Sequence, residues 1–149
     1  MIEVVTGDEG WAEALPDADA LAAACHRAAL AFEPRLDGEI ALLLCDDAEM
    51  AGLNKQFRGK DGPTNVLSFP SGEAEGFLGD MALARETCER EAAAKAVPLR
   101  DHAAHLIIHG MLHLIGYDHE TETEAAAMER REVDILTALG VSDPYAGDW

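Results

Sequence analysis

The 149-residue chain is poor in the residues that would mark a secreted or nucleic-acid-coating protein. It has three cysteines, Cys25, Cys45 and Cys88, with no CxxC pair among them. An odd count, with each thiol inside an apolar or helical pattern, reads as small buried hydrophobes rather than a disulfide framework or a thiolate metal site. Basic residues number 11 against 29 acidic ones, giving a formal net charge of −18. That balance excludes a broad electrostatic grip on nucleic acid or anionic membrane, so any such partner must meet a local positive patch. The longest apolar runs, Ile40 to Cys45 and Leu106 to Ile108, are far too short to span a bilayer. Met1 to Val5 lacks a basic-then-apolar leader and reads as a strand, so the expectation is a cytoplasmic protein. Repeats, linkers and low-complexity segments are missing too, beyond a richness in alanine. The length suits a single domain, residues 1–149, with one core.

Hydrophobic periodicity supplies the elements. Strands are expected at Met1–Val5, Glu39–Cys45, Asn65–Phe69 and Phe77–Ala84, with Gly79 marking a bulge or an edge. Helices are expected at Asp17–Phe32, from Asp46 to about Phe57, at Arg85–Ala96, from Pro98 to Ile115, and at Thr121–Leu139. Asp46 with Glu49, and Thr121 with Glu124, have capping-box spacing. In the third of these segments Glu86–Arg90 and Glu91–Lys95 stand one turn apart in the favourable order. Gly7–Pro16 reads as a loop, Ser71–Gly76 as a flexible acidic loop, and the tail from Val141 to Trp149 as weakly specified. The sum is an α+β domain: a small mixed four-stranded sheet packed with about five helices.

Five of the six histidines lie between positions 102 and 119. His109 and His113 are four apart on an expected helix, about 6 Å along its axis and on one face. Gly116 can leave helical geometry cheaply and return the chain, so that His119 brings a third imidazole to the same place. Three neutral nitrogens suit one zinc ion with an open fourth position for acidified water, although nickel, copper and iron share the ligand type. The spacing matches the HxxxHxxGxxH skeleton of metzincin-type proteases. Their general base follows the first histidine, where this chain has Gly110, which counts against peptide hydrolysis and leaves room beside the ion. His105, one turn earlier, is a candidate substrate contact, neighbour of the ligands or fourth ligand. Asp118 either orients an imidazole or stabilises the turn, and Tyr117 packs under the loop. His102 reads as surface or structural, and His26 as a surface residue.

Three of the 11 basic residues, Lys55, Arg58 and Lys60, fall within six positions, leaving a helix end for a glycine-rich turn. Arg58 offers a planar fork suited to phosphate, Lys60 a second cation, and Thr64, Asn65 and Ser68 neutral donors. The bland alternative is a solvated turn that complements a helix C-terminus. Beside an activated water, Arg58 would stabilise charge during phosphodiester cleavage, with water or a ribose 2′-OH as the nucleophile.

HGMLHLIGYDH at His109–His119 and NKQFRGKDGPTNVLSFP at Asn54–Pro70 together resemble the YbeY family, bacterial rRNA maturation factors with endoribonuclease activity. Leu78-Gly79-Asp80-Met81, His105, Met128-Glu129 and Glu132 also sit where that pattern has them, and the likeness runs from Ile40 to Leu139. The resemblance implies a zincin-like site with zinc on His109, His113 and His119, and Arg58 as a catalytic or phosphate-contacting residue. It also implies cleavage of single-stranded RNA, maturation of the 3′ end of small-subunit rRNA, and ribosome quality control. The implied partners are rRNA or the small subunit, with a ribosomal protein or assembly factor able to deliver the substrate to so acidic a chain. Asn65 departs from the aspartate often found in the family. Two other readings compete: a metal-dependent hydrolase of another substrate, peptide included, and a non-enzymatic zinc-containing ribosome-assembly protein.

Overall fold

The computed structural model describes residues 1–71 and 76–145. The expected acidic loop at 72–75 and the end of the tail at 146–149, Trp149 included, lie outside the described residues. The elements run β1 (Ile2–Thr6), α1 (Gly10–Ala14), α2 (Ala18–Phe32), β2 (Glu39–Cys45), α3 (Asp47–Arg58), β3 (Val66–Pro70), β4 (Phe77–Ala84), α4 (Arg85–Lys95), α5 (Leu99–Leu114) and α6 (Glu122–Ala138). A single 3-10 turn, Pro34–Leu36, follows α2. The strands form one mixed sheet in the order β1-β2-β4-β3, with β1, β2 and β4 parallel and β3 antiparallel to β4 at an edge.

The four strands and the α+β architecture match the sequence expectation, with one helix more. The segment 7–16, read as a loop, contains α1. Its anchor is Trp11, fully buried, whose indole N–H donates to the Cys45 carbonyl at 2.8 Å. With the ion pair between Asp8 and Arg85 and the burial of Trp11 and Leu15 in the main core, that contact fixes a turn of helix too short to be stable by itself. Gly79 does mark a bulge. Ile40 pairs with Gly79 while Glu39 pairs with Phe77, so Leu78 is the extra residue. The strand is central rather than an edge, and Gly79 takes a φ of +152°, where an added Cβ would stand 2.4 Å from the Phe69 carbonyl oxygen.

Two cores flank the sheet. The larger one gathers Leu42, Leu44, Met81 and Leu83 with residues of α2, α5 and α6, among them Cys25, Ile108, Met111, Leu112 and Leu136. The smaller one lies under α3 and holds Cys45, Met50, Leu67, Ala82 and Ala84. Helix α5 is buried along nearly all its length, because its apolar residues encircle it instead of forming one stripe. All three cysteines are free and buried, as their apolar settings suggested.

Two surface expectations fail for one reason: tertiary partners outcompete local ones. Neither of the two expected pairs of α4, Glu86–Arg90 and Glu91–Lys95, forms, although Arg85 pairs with Glu89 one turn on at 2.9 Å. Glu86 accepts from the Asp47 backbone N–H, Arg90 pairs with Asp47 at 2.9 Å, and Glu91 accepts from Asn65 and His102. His26, expected at the surface, is buried with its Nε2 hydrogen-bonded to the Leu36 carbonyl oxygen at 2.8 Å. Among the described residues, no helix is long and apolar enough to cross a membrane.

Candidate metal centre

The site grows from the last two turns of α5. His109 and His113 point the same way, as four-residue spacing requires, and their Nε2 atoms stand 3.1 Å apart. Helix α5 then ends in a left-handed reversal. Gly116 has a φ of +102°, and the Tyr117 N–H donates back to the Leu112 carbonyl oxygen at 3.0 Å. The returning chain delivers His119, its ring centroid 5.1 Å from that of His113 and 5.7 Å from that of His109. Candidate ligand atoms of all three histidines lie within 4.8 Å of one another.

Hydrogen bonds fix which nitrogen of each ring is available. The His109 Nδ1–H donates to Glu132 Oε2 at 2.6 Å, and the His113 Nδ1–H donates to the Tyr117 carbonyl oxygen at 2.9 Å. Both Nε2 atoms are therefore left with lone pairs that face each other. Such a pair is repulsive unless a cation lies between. A tetrahedral ion with nitrogen ligands at 2.0–2.1 Å would hold them roughly 3.3 Å apart, close to the separation seen. Burial, followed by the neighbouring His109, holds His113 below the usual histidine range, which keeps it neutral and able to ligate. The donor set thus fits a metal ion.

Glu132 is the residue the sequence named without giving it a task. It is fully buried on α6 and accepts from His109, from His105 Nε2 at 2.9 Å, and from the Tyr145 hydroxyl. Burial alone would push its carboxyl up, but these three donors outweigh it and hold the group at about 2. It was legible in principle. Glu132 falls four residues after Met128 and three before Ile135, so the apolar face of α6 carries a carboxylate that must find partners. Tyr145 lies in the weakly patterned tail, and no sequence signal marked it.

The other expected residues are dispersed. Asp118 accepts from the backbone N–H of His119 at 2.8 Å, which supports the turn and leaves the imidazoles to other partners. Tyr117 packs under the loop as expected, its hydroxyl donating to Glu33 at 2.6 Å, and Glu33 is in turn held by Arg131 at 2.9 Å. Ser68 donates to the Gly110 carbonyl oxygen at 3.1 Å, which ties edge strand β3 to α5. Gly110 leaves no room beside an ion. A Cβ there would meet Met81 Cε at 2.5 Å and Ser68 Oγ at 3.0 Å, so the glycine serves close packing of helix on sheet. His102 is buried, its Nε2 2.8 Å from Glu91. Arg58 and Lys60 are exposed and make no ion pair with any described residue. They leave α3 on the opposite sheet face from Ser68, because Phe69, the next residue of β3, turns the other way onto Phe57 with ring centroids 5.1 Å apart. The structure does not bring Arg58 into contact with the histidines.

A mixed sheet under a helix that carries two histidines, with a third on the reversal after it, makes an α+β protein with a three-histidine group that could hold a metal ion. The family model described as endoribonuclease YbeY matches residues 13–140, a longer stretch than Ile40 to Leu139. A relative named endoribonuclease YbeY from Paramagnetospirillum magneticum is 47% identical over 91% of this chain and 89% of its own. Another so named, from Azorhizobium caulinodans, is 49% identical over 97% of this chain and 96% of its own. The solution structure of a Thermotoga maritima protein superposes with a TM-score of 0.62 at 24% identity, covering 99% of this chain and 97% of that one, which supports the fold. The chain belongs to the endoribonuclease YbeY family.

Proposed function

We propose that this protein is a zinc-dependent endoribonuclease that cuts single-stranded RNA, with a part in maturing the 3′ end of small-subunit rRNA and in ribosome quality control. The relatives' name, endoribonuclease, supports the RNA substrate. The observation that carries the metal dependence is the facing pair of His109 and His113 Nε2 atoms, each ring pinned by its Nδ1–H. His109, His113 and His119 hold one ion per chain, zinc being the best match for an all-imidazole set. When bound, the ion supplies Lewis acidity and acidified water.

The chain's own groups do the rest. Glu132 keeps His109 in the tautomer that ligates, and the Tyr117 carbonyl does the same for His113. Arg58, free of ion pairs among the described residues, stabilises charge on the phosphate, with Lys60 beside it. Edge strand β3, with Ser68 on one face and Phe69 on the other, stands between the histidines and this basic turn. An RNA strand laid across β3 would meet both. Partners are rRNA or the small subunit, with a ribosomal protein or assembly factor offsetting the acidity of the chain, and the setting is the cytoplasm.

The experiment is metal analysis together with end mapping on a defined RNA. Zinc near one per chain, lost in His113→Ala along with cleavage, is expected. Arg58→Ala should keep zinc and fold while losing cleavage. A 2′,3′-cyclic phosphate end indicates attack by ribose, and a 5′-phosphate indicates attack by water. RNA left intact by zinc-loaded protein that cuts casein would replace this reading with a protease.

A further inference from the structure

Beside the metal centre runs a cleft of about 350 Å³ that the proposed chemistry does not use. Its wall includes His109 at one end and Asn65, Glu91, His102 and His105 along its length. The polar groups here are organised in one sense. Glu91 Oε1 accepts from His102 Nε2 at 2.8 Å and from Asn65 Nδ2 at 3.0 Å, and Asn65 Nδ2 also reaches Oε2 at 3.3 Å. With its amide donor so committed, Asn65 presents its Oδ1 as an acceptor. Glu91 remains about one-third exposed at the cleft and has further lone pairs to offer.

A second observation comes from His105. It is 7% exposed, its Nε2 is engaged with Glu132, and its buried Nδ1 has no partner among the described residues. With the proton on Nε2, that Nδ1 is one more acceptor, in a side chain that lines the cleft. A buried polar atom without a partner marks a position where a ligand or water belongs. The lining thus combines a carboxylate and an amide oxygen, with the His105 ring behind them and Lys95 as its cation. Acceptors repel phosphate, so this lining disfavours a phosphate. The groups such a lining takes are N–H donors.

We infer that this cleft is a nucleobase subsite that reads guanine beside the cleaved phosphodiester, with Glu91 accepting from the base. The inference rests on the endoribonuclease reading. Guanine's Watson–Crick edge alone offers two adjacent N–H donors, N1–H and the 2-amino group, to one carboxylate. Adenine and cytosine set one donor beside a ring acceptor, and uracil sets its single N–H between two carbonyls. Single-stranded RNA exposes these edges for recognition. The assignment also gives an acidic protein a way to hold RNA near its metal: bases meet the acidic wall, and phosphates meet the cations.

The test is binding of 5′-GMP, 5′-IMP and 5′-AMP to the zinc-loaded protein, followed by the Asn65 side-chain amide resonance. The three probes carry the same phosphate, so that group cancels. GMP should bind about ten-fold tighter than AMP, the factor expected for a charge-assisted hydrogen bond. IMP, which lacks the 2-amino group, should fall between them without any change to the protein. Glu91→Gln should bring GMP within about three-fold of AMP. Equal affinities, or no movement of the Asn65 resonance, overturn the subsite. Cleavage mapped on oligonucleotides with one guanine, inosine or adenine separates the two claims. RNA cut without regard to base removes the subsite and leaves the nuclease. GMP preference in a protein that cuts no RNA removes the nuclease and leaves the subsite.

Discussion

Replacing Glu132 with Gln tests whether a buried carboxylate on α6 sets the metal affinity of histidines on α5. The side chain is fully buried and takes three donors, among them His109 Nδ1 at 2.6 Å. Glutamine keeps the shape but changes the inventory. Its amide presents one acceptor oxygen and one NH₂ group, so His109 or the His105–Tyr145 side faces a donor where it had an acceptor. Hydrogen bonds to a charged group contribute about 1.5–3 kcal/mol each. At about 1.4 kcal/mol per decade, losing the one that fixes the His109 tautomer should weaken zinc binding by about 10- to 100-fold. The assay is competition for zinc against a chromophoric chelator at pH 7, with circular dichroism to check the fold. The melting temperature of the metal-free protein should also fall, by about 2–4 °C for each kcal/mol lost in a chain of this size. Zinc affinity within two-fold of wild type would refute the reasoning, since it would mean that His109 keeps its ligating tautomer unaided.

Three further outcomes follow from the packing and the charges. Gly110→Ala places a methyl 2.5 Å from Met81 Cε inside the helix–sheet interface, so thermal denaturation should show a loss of about 1–3 kcal/mol; an unchanged melt would show that Met81 yields freely. Burial pushes the Cys25 and Cys45 thiols up to about 12 and Cys88 higher still, so iodoacetamide at pH 8 should label none of the three in the native protein and all of them in urea; rapid native labelling would contradict their burial. Burial works against the Asp47 carboxylate, but Arg90 and Thr87 outweigh it and hold the group below its ordinary 3.8. A group depressed in the folded state stabilises above its unfolded value and stops doing so as pH falls through the folded one. The stability gap between wild type and Asp47→Asn should therefore be full at pH 6 and shrink below about pH 4 in urea melts, whereas a gap that widens in acid would reverse the sign.

How far the sequence reached depends on how local each cause was. The reversal at Gly116 was visible because glycine is the residue that takes positive φ without penalty, and the two histidines four apart were visible because helical periodicity fixes their face. Helix α6 carried its start in the letters, and both halves of the Thr121–Glu124 capping box form. Helix α1 was missed because its cause is an indole donating to a carbonyl 34 residues away. The charge pairs of α4 were misread because Asp47 and His102, distant in sequence, come within hydrogen-bond reach of Arg90 and Glu91 in the folded chain.

By itself the sequence determined the order of the strands and of every helix but α1, the family and which three histidines are candidates to meet, because periodicity, caps and glycine conformations are properties of neighbouring residues. Only the tertiary structure decided that Glu132 and Tyr117 hold the rings' outer nitrogens, that Gly110 is a packing contact, and that Glu91, Asn65 and His105 share one cleft. Those arrangements join residues from different elements. Their partners are chosen by burial, which strips water from a polar group and makes the nearest donor or acceptor in space, rather than in sequence, the one it must take.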